Sequence, residues 1–78
     1  MRIWVENLSP EATEEEVKAL LVKYGFPEPT GMQLVPGDGT RPGMVVEFEG
    51  VHEEGIRPLI ERVDGMFWKG RTLTVSQA

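Results

Sequence analysis

A chain of 78 residues is too short for two hydrophobic cores, because separate domains normally need on the order of 100 residues each. Its apolar fraction of 40% is that of a globular domain, and the absence of cysteine excludes a disulfide framework and a thiolate metal site. The formal net charge of -5 argues against binding to nucleic acid mainly by phosphate neutralisation, which favours basic domains.

Residues 1–78 are expected to form one intracellular domain. No repeat, low-complexity stretch or linker divides the sequence. Glu6, Asn7 and Pro10 interrupt the first apolar run before it could serve as a signal peptide, and no run approaches the roughly 18 apolar residues of a membrane span. A small domain without disulfides is typical of a reducing compartment, which is the cytoplasm in a bacterium and the nucleus or cytoplasm in a eukaryote.

The first predicted element is a strand from Arg2 to Val5. Side chains alternate along a strand, so Ile3 and Val5 point to one face, whereas Trp4 and Glu6 point to the other. If Ile3 and Val5 face the core, the large ring of Trp4 lies on the opposite face of the sheet.

A helix is predicted next, and it begins at a capping box. The Thr13 hydroxyl accepts a hydrogen bond from an early helical amide, and Glu16 reaches back to the amide of Thr13. Gly25 ends the helix in a left-handed conformation. An apolar stripe with the spacing i, i+3, i+4 and i+7 lies between them: Val17, Leu20, Leu21 and Tyr24.

Two strands follow, joined by a long loop. Pro27 and Pro29 cannot continue the first helix. The second strand is predicted at Met32 to Val35 and the third at Met44 to Glu49, with a Gly- and Pro-rich loop over residues 36–43 between them.

The last third of the chain predicts a second helix and a final hairpin. Pro58 lacks an amide proton, so the regular helix is expected to begin late, near Gly55, and to end at Asp64-Gly65. The turn Lys69-Gly70 then precedes an edge strand from Arg71 to Ser76. The apolar positions of this helix repeat the helical spacing: Ile56, Leu59, Ile60 and Val63.

This order of elements predicts an α+β fold. Strand, helix, strand, strand, helix, strand is typical of the ferredoxin-like βαββαβ sandwich, in which two helices pack on one face of a four-stranded antiparallel sheet. The other face of the sheet is open, and Trp4 is expected to lie on it.

Two segments carry a resemblance to a known family. Residues 3–8 have the pattern aliphatic, aromatic, aliphatic, any, Asn, Leu, in the letters IWVENL. Residues 63–75 contain Asp64-Gly65, a short variable stretch and then Gly70-Arg71, any, Leu, any, Val. With these segments the chain resembles the RNA recognition motif (RRM) family over nearly all its length.

The octamer of the third strand departs from that family. Its pattern is basic, Gly, aromatic, Gly or Ala, aromatic, aliphatic, any, aromatic, whereas residues 41–48 are RPGMVVEF. Gly43 and Val45 replace the two aromatic residues that stack on bases in the family. Since stacking contributes roughly 1 to 3 kcal/mol per base, the loss of two platforms is expected to weaken binding by a factor of about 100 or more.

The resemblance implies a non-enzymatic domain that binds single-stranded RNA weakly on the open face. Trp4 would stack on one base, Val45 and Gly43 would make apolar and close backbone contact, and arginines would meet phosphates. The candidate RNA-binding residues are Trp4, Glu6, Arg41, Gly43, Val45, Arg2 and Arg71.

The open face is expected to carry both carboxylates that repel RNA and basic side chains that attract it. Glu6 and Glu47 lie on strands that are neighbours in this fold, and two carboxylates repel a phosphate backbone. A positive rim is expected to surround them, and the net negative charge would then belong to the helical side. The expected rim consists of Arg2, Arg41, Lys69 and Arg71.

A protein-interaction module is the alternative. Family members with degenerate octamers dock other polypeptides, and Trp4, Val45 and the solvent-facing Phe67 would suit a peptide with an apolar anchor and basic flanks. No catalytic residue, metal site or cofactor is expected, because His52 is the single histidine and no nucleophile–base pattern accompanies Ser9 or Ser76. The domain is expected to be a monomer with no membrane partner.

Overall fold

The computed structural model describes residues 1–78 and has a four-stranded sheet, a short two-stranded hairpin and two helices. Four strands form an antiparallel sheet in the order β2-β3-β1-β6, and β4 and β5 pair as a separate short hairpin. The predicted ferredoxin-like α+β fold is confirmed. The elements are β1 (Arg2–Glu6), α1 (Glu14–Lys23), β2 (Gly31–Val35), β3 (Gly43–Glu47), α2 (Glu53–Val63), β4 (Phe67–Trp68), β5 (Arg71–Thr72) and β6 (Thr74–Gln77).

The core lies between one face of the sheet and the two helices. Ile3 and Val5 of β1 are 0% and 1% exposed, so the predicted orientation of this strand is confirmed. No polar or charged side chain is buried with them, as burial without a partner would be costly. The core side chains are Ile3, Val5, Leu8, Val17, Leu20, Leu21, Phe26, Met44, Val46, Phe48, Ile56, Val63, Leu73 and Val75.

The capping box predicted for α1 is present. The amide of Glu16 donates to the Thr13 hydroxyl at 3.1 Å, and the Glu16 carboxylate accepts from the amide of Thr13 at 3.0 Å. After Tyr24, Gly25 adopts a φ of 101°, which a side chain would strain, and the helix ends there as predicted.

The second helix begins earlier than predicted. We expected Pro58 to delay it to Gly55, but α2 begins at Glu53 and contains Pro58 as its sixth residue. The amide that proline lacks would have bonded the carbonyl of Glu54, and Glu54 is exposed in the first turn, where water can satisfy that group. Neither helix is long and apolar enough to cross a membrane.

The segment after α2 is fixed by a tight turn. Lys69 and Gly70 have φ values of 49° and 79°, as in a type I′ turn, so β4 and β5 pair with only two residues between them. The Asp64 carboxylate accepts from the amide of Val75 at 2.9 Å. This bond holds the start of the edge strand β6 against the end of α2.

Candidate nucleic-acid interface

One indole lies in the middle of the open sheet face. Trp4 of β1 lies opposite Val45 of β3 and Ser76 of β6, and Val45 in turn lies opposite Gln33 of β2. Trp4 is half-buried, whereas its neighbours Ile3 and Val5 are fully buried on the helical side. The ring therefore faces away from the helices, as the alternation of the strand predicts.

Gly43 lies beneath that indole. A Cβ added to Gly43 would lie 3.2 Å from Cη2 and 3.3 Å from Cζ2 of Trp4, and 3.1 Å from the carbonyl oxygen of Val5. The six-membered ring of Trp4 thus occupies the space that a side chain at position 43 would need. Gly43 is itself buried, so a direct contact between Gly43 and RNA, which stays a prediction, has little surface available.

The two carboxylates of the open face lie far apart. Glu47 is opposite Arg2 at one end of the β1–β3 pair, and Glu6 is opposite Thr74 at the other end of β1. Glu6 is four residues after Arg2 on β1, which corresponds to about 14 Å along a strand. Glu6 and Glu47 are on neighbouring strands as predicted, but they do not form a repulsive pair.

At the Glu6 end, the open face continues into a polar groove of about 860 Å³. The loop between β2 and β3 forms one wall, and the β4–β5 hairpin forms the other. The groove brings together three of the candidate RNA-binding residues with the candidate partner contact Phe67, and Arg2 lies at the far end of the sheet. Its lining residues are Glu6, Asn7, Thr40, Arg41, Phe67, Gly70, Arg71, Thr72 and Thr74.

Arg71 connects the walls of this groove. Its Nη1 atom donates to the carbonyl oxygen of Thr40, and it lies 3.4 Å from the carbonyl oxygen of Leu8 and 3.4 Å from Oδ1 of Asn7. Asn7, at a φ of 63°, also donates from Nδ2 to the carbonyl oxygen of Thr72 at 2.9 Å. One nitrogen of the Arg71 guanidinium therefore links the hairpin to the loop and to the two residues that follow β1.

Two basic side chains without a partner in the chain lie on the open face and in the groove. Arg2 and Arg41 are exposed, and their side chains make no hydrogen bond or ion pair within the chain. Lys69, by contrast, pairs with Glu16 of α1 and lies over the Trp68 ring at 5.6 Å from its centroid. The prediction that Lys69 belongs to the positive rim is therefore wrong.

Hydrogen bonds lower the pKa values of two carboxyl groups, one beside Arg41 and one paired with Lys69. The hydroxyl and amide of Thr40 lower the pKa of Asp38, with a smaller contribution from the charge of Arg41. The ammonium of Lys69, followed by the amide of Thr13, lowers the pKa of Glu16. Both groups therefore stay ionised at neutral pH, and Asp38 adds negative charge at the tip of the loop beside Arg41.

Replacing Arg71 with alanine tests its structural role. Arg71→Ala leaves the carbonyl oxygen of Thr40 without its donor and separates the loop from the hairpin, so we expect the free energy of unfolding to fall by about 1 to 3 kcal/mol. Arg41→Ala removes the same charge from a side chain with no partner and is the matched control. Urea unfolding of the two variants should differ, and equal stabilities would show that Arg71 does not hold the groove.

Comparison with known proteins places the chain in a family. It is 35% identical over 79 residues to the provisionally named RNA-binding protein RbpB of Nostoc sp., a match that covers 100% of this chain and 75% of the relative. It is 31% identical to RNA Binding Protein PG1, whose crystal structure superposes with a TM-score of 0.76 and a coverage of 100% of this chain and 93% of that chain. No protein-family model matches.

The fold alone extends the comparison to more distant structures. The RRM of Rna15, solved with bound RNA (GU), has 15% sequence identity and a TM-score of 0.74, with 99% of this chain and 81% of that chain covered. The topology, the hexamer around Trp4 and these relatives agree. The chain belongs to the RNA recognition motif family.

The sequence did not indicate the whole groove. The candidate Trp4 was identified from strand alternation and Val45 from the octamer of the family resemblance, whereas Thr40, Thr72 and Thr74 carry no local signal of a shared site. They meet because β5, β6 and the loop before β3 converge at one end of the sheet. A signal was present in Asn7, since an asparagine directly after a strand favours a left-handed conformation that turns the chain towards the hairpin.

Proposed function

We propose that this chain is a non-enzymatic domain that binds single-stranded RNA weakly on its open sheet face. Trp4 stacks on one base, Val45 makes apolar contact beside it, and Arg2 and Arg41 meet phosphates. The observation that carries the proposal is the placement of the Trp4 indole on the open face, with Gly43 beneath it and no helix above it. The relatives RbpB and PG1, both named as RNA-binding proteins, support RNA as the ligand.

The support from Gly43 gives the indole a defined position. One edge of the ring occupies the space that a side chain at position 43 would fill, and we expect this contact to order the ring before a base arrives. A pre-ordered platform loses little conformational entropy on binding. A single such platform gives one stacking contribution of roughly 1 to 3 kcal/mol, which is why we propose weak binding.

The distribution of charge also favours RNA on this face. Three arginines and two carboxylates belong to the open face and the lining of the groove, namely Arg2, Arg41, Arg71, Glu6 and Glu47, and the carboxylate of Asp38 lies beside Arg41 at the tip of the loop. The acidic excess behind the net charge of -5 therefore lies on the helices and in other loops. Several of those carboxylates are neutralised locally, as in the pairs Lys18–Glu28 at 2.9 Å and Arg57–Glu53 at 3.3 Å.

The salt dependence of binding tests the role of Arg41. If Arg41 neutralises one phosphate, Arg41→Ala should reduce the slope of log K against log salt concentration by about 0.7 for single-stranded RNA, with a modest loss of affinity at low salt. Fluorescence anisotropy of a labelled single-stranded oligonucleotide at several salt concentrations measures that slope. Arg57→Ala, which removes a charge from α2, is the matched control and should leave the slope unchanged.

A protein ligand is the alternative outcome of the same measurement. If single-stranded RNA at high micromolar concentration and low salt leaves the anisotropy unchanged, the RNA proposal fails. A peptide with an apolar anchor and basic flanks would then be the ligand to test against Trp4, Val45 and Phe67.

A further inference from the structure

A second aromatic ring is exposed next to the sheet face. Phe67 is 71% exposed, the highest value among the large apolar side chains of this chain. It belongs to the β4–β5 hairpin, outside the four-stranded sheet, and forms part of the wall of the polar groove. An aromatic ring in water gains no burial energy, so folding alone does not explain its position.

The hairpin holds that ring in a fixed place. Phe67 lies opposite Thr72, and the carbonyl oxygen of Thr72 accepts a hydrogen bond from Asn7 at the end of β1. The next pair of the hairpin, Trp68 and Arg71, is anchored on both sides, because Trp68 packs against the core and Arg71 bonds the loop carbonyl of Thr40. Phe67 is thus exposed on a part of the chain that is tied to three neighbouring segments.

The groove in front of Phe67 has the groups that a nucleotide requires. Arg41 supplies a guanidinium without a partner in the chain, suited to a phosphate. The hydroxyls of Thr72 and Thr74 can donate to or accept from a ribose or a base edge. The groove begins at Glu6, two residues from Trp4 on the same face of β1, which corresponds to about 7 Å.

We propose that this groove is a second nucleotide position, in which Phe67 stacks on a base whose flanking phosphate lies on Arg41. The inference rests on the proposed RNA binding at Trp4 and extends it. The RNA strand would leave the sheet face at Glu6 and enter the groove. Phe67 then replaces, from outside the sheet, part of the stacking that Gly43 and Val45 no longer provide.

Glu6 gives this position a preference among bases. An ionised carboxylate only accepts hydrogen bonds. Cytosine offers it the exocyclic N4 amino group, whereas the one donor on the pairing edge of uracil, N3–H, lies between two carbonyl oxygens that repel a carboxylate, so cytosine is favoured over uracil. Thr74 lies opposite Glu6 on β6 and can complete the edge contact. A cytidine placed at this position of a uridine oligonucleotide should therefore bind about 2- to 10-fold more tightly than uridine.

The experiment measures dissociation constants for hexauridine and for six variants that each carry one cytidine. For the wild-type chain, one cytidine position should improve affinity, and Glu6→Gln, which can donate as well as accept, should abolish that preference. Phe67→Ala should weaken binding by about 5- to 150-fold. Phe67→Tyr keeps an aromatic ring and should bind like the wild type.

Leu34→Ala is the matched surface control. Leu34 is 48% exposed, and it lies opposite the buried Met44, so it is on the helical side of the sheet. If Phe67→Ala and Leu34→Ala both bind like the wild type while Trp4→Ala is impaired, the groove position is wrong and binding at Trp4 stands. If no oligonucleotide binds the wild-type chain, both proposals fall.

Discussion

Trp4→Ala is expected to weaken the binding of single-stranded RNA by about 1 to 3 kcal/mol, a loss of roughly 5- to 150-fold in affinity. The indole is the one aromatic ring in the middle of the open face, where it lies between Val45 and Ser76. Its removal leaves a small alanine opposite Val45 and no aromatic ring in the middle of the sheet face on which a base can stack. Isothermal titration calorimetry with a short oligonucleotide measures the loss.

A matched variant separates stacking from a general change in the sheet. Trp4→Phe keeps an aromatic platform at the same position and should retain most of the affinity. Urea unfolding of both variants checks that the sheet is intact. The account is contradicted if Trp4→Ala binds RNA as tightly as the wild type, or if Trp4→Phe loses as much as Trp4→Ala.

Val45→Phe is expected to strengthen binding, by about 1 to 3 kcal/mol if the new ring stacks on a second base. Val45 is half-exposed on the open face and lies between Trp4 and Gln33, so a larger ring can extend over the sheet without entering the core. The substitution restores one of the two platforms that the octamer of this chain lacks. Val45→Ile adds apolar volume without a ring and is the control.

An aromatic residue at position 43 is expected to weaken binding, in contrast to one at position 45. Gly43→Phe also restores an aromatic residue of the octamer, but its Cβ would meet the carbonyl oxygen of Val5 at 3.1 Å and the ring of Trp4 at 3.2 Å. We expect it to displace the indole and to weaken both stability and binding. A gain in affinity for Gly43→Phe, together with none for Val45→Phe, would place the bases elsewhere on the sheet.

The face of each strand was predictable from the sequence because side chains alternate. Ile3 and Val5 had to share a face, and burying them placed Trp4 on the other side. The start of α1 was also predictable from local contacts. The side chains of Thr13 and Glu16 each accept a hydrogen bond from the backbone amide of the other residue, three positions away. Local rules were sufficient for these two features, whereas the local rule for Pro58 placed the start of α2 two residues too late.

Long-range contacts account for what was not predictable. The three acceptors near Nη1 of Arg71 belong to two separate loops, and one of them, Thr40, is 31 residues away in the chain. The lean of the Trp4 ring over Gly43 depends on the side-chain rotamer, which strand alternation does not determine. Lys69 pairs with Glu16 because the hairpin folds back against α1, and neither residue indicates this in the sequence.

The net charge illustrates the same limit. A formal charge of -5 counts every residue equally, and by itself it argues against an RNA-binding domain. The structure separates the charges: Arg2 and Arg41 are unpaired on the side of the indole, whereas Lys18, Arg57 and Lys69 are paired with carboxylates of the chain. The charge available to a ligand therefore depends on which side of the domain it approaches.

The most direct test is an NMR titration of the isotopically labelled chain with a short single-stranded RNA, because its two tryptophans give two indole N–H resonances. Trp68 packs against the core with Lys69 over its ring, so it is an internal reference within the same molecule. We predict a saturable shift of the Trp4 indole resonance and of the backbone amides of Val45 and Arg41, with that of Trp68 nearly unchanged. A saturable shift confined to α1 and α2, or no shift at high micromolar RNA and low salt, would contradict base stacking on the open face.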